Sequence, residues 1–328
     1  DDENGAPIVA EKGVFVFNSG NQASGIDGTL SFIDEKTETV SNNVFETTNE
    51  RKLGSTVQDG VILGNNLYIA VSKSNTLVSV VQIVPTPAQG NTPRDIVTDG
   101  KYVYVSMYTG VVSRIDPSTN TIDKTVAVGP NPEEMVIVNK SLYVTNSDGN
   151  NYNAGYANGK SVSKISLSDF VEEKKIAVGL NPTKITADAL GNVLVLCMGD
   201  YSATPATVWK INAEDEATSM NIPATIMDIK DNSLYVINAP YGAPSITYTV
   251  YNTSSGAVEK ENFVSAPVDA PAGIAVHSDG RIFITSYTLV GGFASYKTPG
   301  YVSEYSSDGT FVKKYDVGVG AVSMTFLK

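Results

Sequence analysis

One short hydrophobic strand recurs along the whole chain, and no other sequence feature restricts the fold as tightly. The copies are Val14-Phe15-Val16-Phe17-Asn18, Leu67-Tyr68-Ile69-Ala70, Val103-Tyr104-Val105-Ser106, Leu142-Tyr143-Val144-Thr145-Asn146, Val193-Leu194-Val195-Leu196, Leu234-Tyr235-Val236-Ile237-Asn238 and Ile282-Phe283-Ile284-Thr285. They are spaced by 53, 36, 39, 51, 41 and 48 residues, and a period of about 45 residues is that of a four-stranded propeller blade. Each copy follows a strand opened by a Gly/Pro turn, such as Gly90-Asn91-Thr92-Pro93, Gly129-Pro130-Asn131-Pro132 or Gly179-Leu180-Asn181-Pro182. It precedes a strand such as Val112-Ser113-Arg114-Ile115-Asp116, Val162-Ser163-Lys164-Ile165 or Val302-Ser303-Glu304-Tyr305, and a fourth segment such as 121–128 or 172–178 closes the unit.

The expected fold is all-β, a single seven-bladed β-propeller of four-stranded blades. The copy at Val14 has no strand before it, whereas the last blade is followed by Gly320-Ala321-Val322-Ser323-Met324-Thr325-Phe326. The spacing therefore predicts that 320–327 becomes the innermost strand of the first blade, closing the ring and removing its open edge. The expected blades are 13–54 with 320–327, then 55–91, 92–130, 131–180, 181–222, 223–269 and 270–319, after a tether at 1–12. The outer strand of the second, between Val80 and Gln89, is poorly defined. Abundant Gly, Tyr and β-branched residues favour strands and tight turns, and no segment reads as an amphipathic helix.

A formal charge of −12 argues against a nucleic-acid partner, which would need clustered Lys and Arg. No run of about 20 apolar residues offers a transmembrane segment. The polar opening Asp1-Asp2-Glu3-Asn4-Gly5 reads as the tether of a processed exported protein or lipoprotein, with a deliberately trimmed chain as the alternative.

The motif Leu142-Tyr143-Val144-Thr145-Asn146 resembles the Tyr-Val-Thr-Asn signature of bacterial YVTN-type propeller repeats, with departures such as Leu194 for Tyr and Val71 or Cys197 for Asn. With its acidic tether and long loops the chain also resembles surface propeller lipoproteins of Gram-negative gut bacteria, some of them surface-layer proteins. One branch of these captures corrinoids, cobalamin and its precursors, for an outer-membrane TonB-dependent transporter. The resemblance implies a surface-anchored, outer-membrane lipoprotein, periplasmic or secreted as alternatives, that binds a bulky small nutrient, with corrinoid the best single guess. No corrinoid-specific fingerprint accompanies it.

Loops between second and third strands are long at 18–28, 146–160, 199–206, 238–245 and 286–300, whereas opposite-face turns such as Asp99-Gly100, Asn139-Lys140, Gly191-Asn192, Asp231-Asn232 and Asp279-Gly280 are tight. One face is thus the expected ligand face. Its candidate binding residues are Arg94, Tyr108, Tyr152, Tyr156, Tyr201, Tyr241, Tyr287 and Phe293, with Tyr296, Glu133, Glu134 and Lys184 beside them. Tyrosine offers a flat apolar ring with a hydrogen-bonding tip, suited to a large amphipathic ligand or a protein surface. The alternative is that such loops use Tyr, Asn and Gly only to order themselves. Phe15, Tyr68, Tyr104, Tyr143, Tyr235 and Phe283 recur with the blade period and are expected to pack between sheets.

Catalytic chemistry is sparse. The sole histidine, His277, lies beside a hairpin turn, where sequence neighbours do not make a triad. His277 and the lone Cys197 cannot furnish a zinc site without several carboxylates. Asp148-Gly149-Asn150-Asn151 lacks the spacing of a calcium loop, and Gly291-Gly292 lacks a helix to bind phosphate. No catalytic residue, metal or cofactor is expected, and Cys197 reads as a small buried hydrophobe. Two readings compete with nutrient capture: a cell-surface adhesin or scaffold for protein or glycan, and a propeller hydrolase or lyase with a metal at the pore.

Overall fold

The computed structural model describes residues 12–74, 76–79, 83–85, 91–242 and 245–327. Residues 1–11 of the expected tether at 1–12, and most of the interval 80–90, lie outside the described residues. Antiparallel four-stranded sheets follow one another along the chain, each with its first strand innermost. Third, fourth, fifth, sixth and last in order, their inner strands are Pro93–Thr98, Pro132–Val138, Pro182–Ala187, Ile226–Lys230 and Ala270–Val276. In the first sheet the C-terminal strand Ala321–Leu327 takes that place, pairing antiparallel with Gly13–Asn18 from Gly13 opposite Leu327 to Asn18 opposite Ala321. Each inner strand packs beside the next, and Ala321–Leu327 touches both Ala270–Val276 and Val57–Leu63, so the sheets surround a central channel.

The expectation of seven equivalent blades is corrected. Six blades of four strands each make up the regular ring, rather than seven. The second sheet in order, Val57–Leu63, Asn66–Val71, Thr76–Ser79 and Ile83–Pro85, departs from the rest: among the described residues its outer pair is the shortest. The cause is visible in the spacing, since the 36 residues from Leu67 to Val103 are the shortest interval in the repeat. Two further elements stand outside the expected four-stranded blades. Val44–Asn49 forms a short α-helix that buries Phe45 against Leu30, Leu53 and Val57, and the last blade's long loop folds a two-stranded ribbon, Leu289–Val290 with Phe293–Ala294.

The core lies between blades. Tyr68 packs on Val103 and Val105 of the third blade, Tyr104 on Leu142 and Val144 of the fourth, and Phe283 on Val14 and Val16 of the first. Tyr68, Tyr104 and Phe283 are fully buried, which explains their recurrence: the second strands, apart from the fifth blade's with Leu194, carry one large ring toward the wedge before the next sheet.

The signature asparagine has its own explanation. Asn146 Oδ1 accepts the Gly129 N–H at 3.0 Å, while Nδ2 donates to Ser161 Oγ at 3.1 Å and Ser163 Oγ at 2.9 Å. One buried side chain thereby joins the inter-blade turn to the third strand. Asn18 repeats the donor half of this pattern, to Thr29 and Ser31.

Candidate functional site

The innermost strand of a blade has one edge without a strand partner, so its N–H groups need acceptors from elsewhere. In this chain the next blade's inner strand is served by carboxylates. Asp95 Oδ2 accepts the Met135 N–H at 2.6 Å, Glu134 Oε2 the Ile185 N–H at 3.3 Å, and Asp228 Oδ2 the Val276 N–H at 2.6 Å. Each link joins one blade to its successor across the channel wall.

A β-bulge at the start of most inner strands sets which residues face the channel. Register slips between Val57 and Asp59, Pro93 and Asp95, Pro132 and Met135, Pro182 and Lys184, and Pro271 and Gly273. A bulge lets two consecutive side chains share one side of a strand. Gln58 with Asp59, Arg94 with Asp95, Glu133 with Glu134, and Thr183 with Lys184 accordingly all line one cavity of about 740 Å³.

That cavity carries five carboxylates, Asp59, Asp95, Glu133, Glu134 and Asp228, against two cations, Arg94 and Lys184. Both cations are paired: Arg94 donates through Nε and Nη2 to Glu133 Oε2 at 2.8 and 2.6 Å, and Lys184 Nζ donates to Glu134 Oε1 at 2.7 Å. Asp59, Asp95 and Asp228 make no ion pair among the described residues. Burial pushes the Asp59 and Asp228 carboxyls up to about 6, and burial together with the neighbouring Asp59 and Glu134 charges holds Asp95 well above the ordinary carboxylate range. Desolvation dominates in all three, since it penalises the charged form.

The mouth is aromatic. The Arg94 guanidinium lies 4.7 Å from the Tyr108 ring centroid, and Ser147 Oγ donates to Glu133 Oε1 at 3.2 Å, so Tyr108, Arg94, Glu133 and Ser147 form one connected patch. Tyr156 and Tyr201 meet edge to face across the fourth and fifth blades, their centroids 6.2 Å apart. All three tyrosines line the cavity. Asp148, in the loop weighed for calcium, directs Oδ2 inward to Asn151 Nδ2 and the Asn158 N–H at 2.9 and 2.8 Å, ordering the segment that carries Tyr156.

Of the candidates read from sequence, Arg94, Tyr108, Tyr156 and Tyr201 converge on the cavity, as do Glu133, Glu134 and Lys184. Tyr152, Tyr241 and Phe293 stand exposed in the loops outside it, and Tyr287 stacks edge to face on Tyr296 at 4.7 Å. Positions 243 and 244 of the sixth blade's loop lie outside the described residues. Asp59, Asp95 and Asp228 were not among the candidates. Their signal was an acid at the third position of an inner strand, as in Val57-Gln58-Asp59, Pro93-Arg94-Asp95 and Ile226-Met227-Asp228.

Cys197 is buried, and desolvation raises its thiol to about 12. His277 sits at the far end of the channel, its ring 4.8 Å from that of Phe326. No helix among the described residues is long and apolar enough to cross a membrane.

Residues 12–83 match the family described as "Domain of unknown function (DUF5074)". No protein of curated function matches the chain. Among solved structures, a functionally unknown protein from Desulfotomaculum acetoxidans is similar over 96% of this chain and 98% of its own, at 15% identity and a TM-score of 0.64. Kuenenia stuttgartiensis hydrazine synthase is similar over 72% of this chain and 68% of its own, at 19% identity and a TM-score of 0.54. A protein of unknown function from Bacteroides caccae covers 93% of this chain and 94% of its own, at 10% identity and a TM-score of 0.50. These likenesses establish the propeller fold and leave activity open.

Proposed function

We propose that the protein is a binding propeller without catalytic activity, and that it holds one bulky small molecule at the channel mouth. The observation that carries this reading is the joining of a fixed aromatic rim, Tyr108, Tyr156 and Tyr201, to a 740 Å³ cavity whose walls are rich in hydrogen-bond acceptors. A ligand that fits has a broad flat body for the rings and several donor groups for the carboxylates. Rim residues held in hydrogen-bonded loops supply affinity by preorganisation.

A corrinoid has that shape and a periphery of amide donors, and the resemblance to surface propellers of gut bacteria supports it as the first ligand to test. On that reading the protein works outside the cytoplasm, anchored at the cell surface, and passes its ligand to an outer-membrane transporter. Titration of the purified protein with cyanocobalamin and cobinamide, followed by heat and absorbance, tests it. Stoichiometric binding that Tyr156→Ala and Tyr201→Ala weaken supports the proposal. Absence of binding at high micromolar corrinoid overturns the ligand assignment.

A second reading has its own observation. Tyr241, Leu289, Val290, Phe293 and Tyr296 stand exposed on the loops of the sixth and last blades, away from the channel rim. Apolar side chains gathered on one surface are characteristic of protein-binding sites, so an adhesin or scaffold role would use this sector. Retained protein or glycan binding after rim substitution, lost on Phe293→Ser, would favour it.

A further inference from the structure

The three tyrosines of the channel mouth belong to three different blades, and two of them hold an uncommon backbone. Tyr156 and Tyr201 have φ of 55° and 58°, a left-handed conformation that a bulky residue keeps only where its surroundings over-determine it. The loops that carry them are tied to two buried asparagines, Asn131 and Asn181. These occupy equivalent places in the inter-blade turns Gly129-Pro130-Asn131-Pro132 and Gly179-Leu180-Asn181-Pro182. Both are left-handed as well, with φ of 49° and 57°, a region that asparagine enters more readily than most residues.

Each asparagine reaches two blades. Asn131 Nδ2 donates to the Tyr108 carbonyl at 2.9 Å, and its Oδ1 accepts the Asn150 N–H at 3.0 Å. One side chain thus ties the third blade's rim to the start of the loop that carries Tyr156. At the other end of that loop the Asn181 N–H donates to the Gly159 carbonyl at 2.7 Å. Asn181 Nδ2 in turn donates to the Gly199 carbonyl at 3.2 Å, two residues before Tyr201. Between the two ends, Asp148 Oδ2 gathers Asn151 and Asn158 onto one oxygen. The ties run continuously from Tyr108 through the Tyr156 loop to the Tyr201 loop.

We propose that Asn131 and Asn181 are positioning residues that couple the three rim tyrosines, so that the mouth is one body spanning the third, fourth and fifth blades rather than three independent contacts. The coupling takes its use from the reading of the mouth as the binding site: a disturbance at one tyrosine is felt at the other two, and a ligand meets them together. Contiguous hydrogen-bonded networks with rigid elements carry such coupling.

Hydrogen exchange read by mass spectrometry tests the coupling on the intact protein without ligand, so its outcome stands apart from the corrinoid titration. In Asn131→Asp the side chain keeps its size, its tolerance of the left-handed region and an acceptor for the Asn150 N–H, but the donor to the Tyr108 carbonyl becomes a carboxylate oxygen. At about pH 8, exchange should rise about tenfold, the effect of one lost buried hydrogen bond, in peptides spanning 103–110 and 147–160. A smaller rise should reach 199–206 on the fifth blade, and 233–238 on the sixth should remain unchanged. At about pH 4 the protonated carboxyl donates again, so the excess over wild type should shrink in all three rim peptides together. That return is a readout that general damage to the fold would not give. Asn181→Asp keeps the N–H to Gly159 and loses the donor to Gly199. It is the second variant should the first fail to fold, with the largest rise expected in 199–206 and a smaller one in 147–160. No rise, a rise from Asn131→Asp that stops short of 199–206, an equal rise in all four peptides, or an excess that is the same at both pH values would overturn the coupling.

Discussion

Gly149 makes room for Tyr108: a Cβ built on Gly149 would collide with the Tyr108 hydroxyl oxygen. The ring is thus held between the Arg94 guanidinium and bare backbone, which fixes one side of the channel mouth. Gly149→Ala is expected to displace the Tyr108 ring while leaving the blades intact. Because Gly149 has no special backbone conformation in its loop, the effect should fall on the rim rather than on folding. If the mouth binds its ligand as proposed, affinity should fall by about tenfold, the equivalent of about 1.4 kcal/mol. Titration calorimetry beside a thermal melt separates the two effects.

The signature asparagine should behave in the opposite way. Asn146→Ala removes three hydrogen bonds and leaves the Gly129 N–H buried without its acceptor. Such losses cost about 1 kcal/mol for each bond and more for the orphaned donor, so a destabilisation of about 3 kcal/mol is expected. A shift of the urea midpoint with unchanged ligand affinity would establish a purely structural role.

Much of this architecture was written in the repeat itself. Tyr68, Tyr104 and Phe283 announced the wedge between sheets, and Gly320 to Phe326 announced a strand that the first copy lacked, because period and burial both follow from side-chain type. The channel carboxylates were harder to read. Asp59, Asp95 and Asp228 look like ordinary surface acids until the inner-strand edge is seen to need acceptors, and that need arises only when sheets meet around an axis. The bulges that turn Arg94 with Asp95 and Glu133 with Glu134 toward one cavity are likewise backbone events with little sequence mark beyond the preceding Pro93 and Pro132. The helix at Val44–Asn49 escaped notice because six residues carry too little periodicity.

Asp228 offers a pH test of its own. Its carboxyl is raised to about 6 by burial while it accepts the Val276 N–H. A raised carboxyl gives its stability below the ordinary carboxylate range and loses it as pH climbs through about 6, so the wild type bears a cost at neutral pH. Asp228→Asn keeps an acceptor oxygen for Val276 without the charge. The variant should therefore gain on the wild type by on the order of 2 kcal/mol between about pH 4 and about pH 8, allowing for partial exposure to the channel. Urea midpoints at the two pH values measure it, and a constant difference between the proteins would contradict the assignment.

Cys197 and Trp209 together replace the asparagine arrangement in the fifth blade. Cys197 stands opposite Thr207 as Asn146 stands opposite Ser161, and Trp209 corresponds to Ser163. A Cβ on Gly129 would meet the Asn146 amide, and one on Gly179 would meet Trp209 Nε1 instead. The indole thus occupies the space that the asparagine amide fills in the fourth blade, and the small thiol is what leaves room for it. The exchange has a cost, since Thr207 Oγ1 and Trp209 Nε1 are buried without hydrogen-bond partners among the described residues. Cys197→Asn alone should overpack the site and destabilise the protein by about 1–3 kcal/mol. Combined with Trp209→Ser, which rebuilds the fourth-blade set, it should recover at least half of that loss. A double-mutant cycle on urea midpoints measures the coupling, and strictly additive effects would show that the two positions do not share one volume.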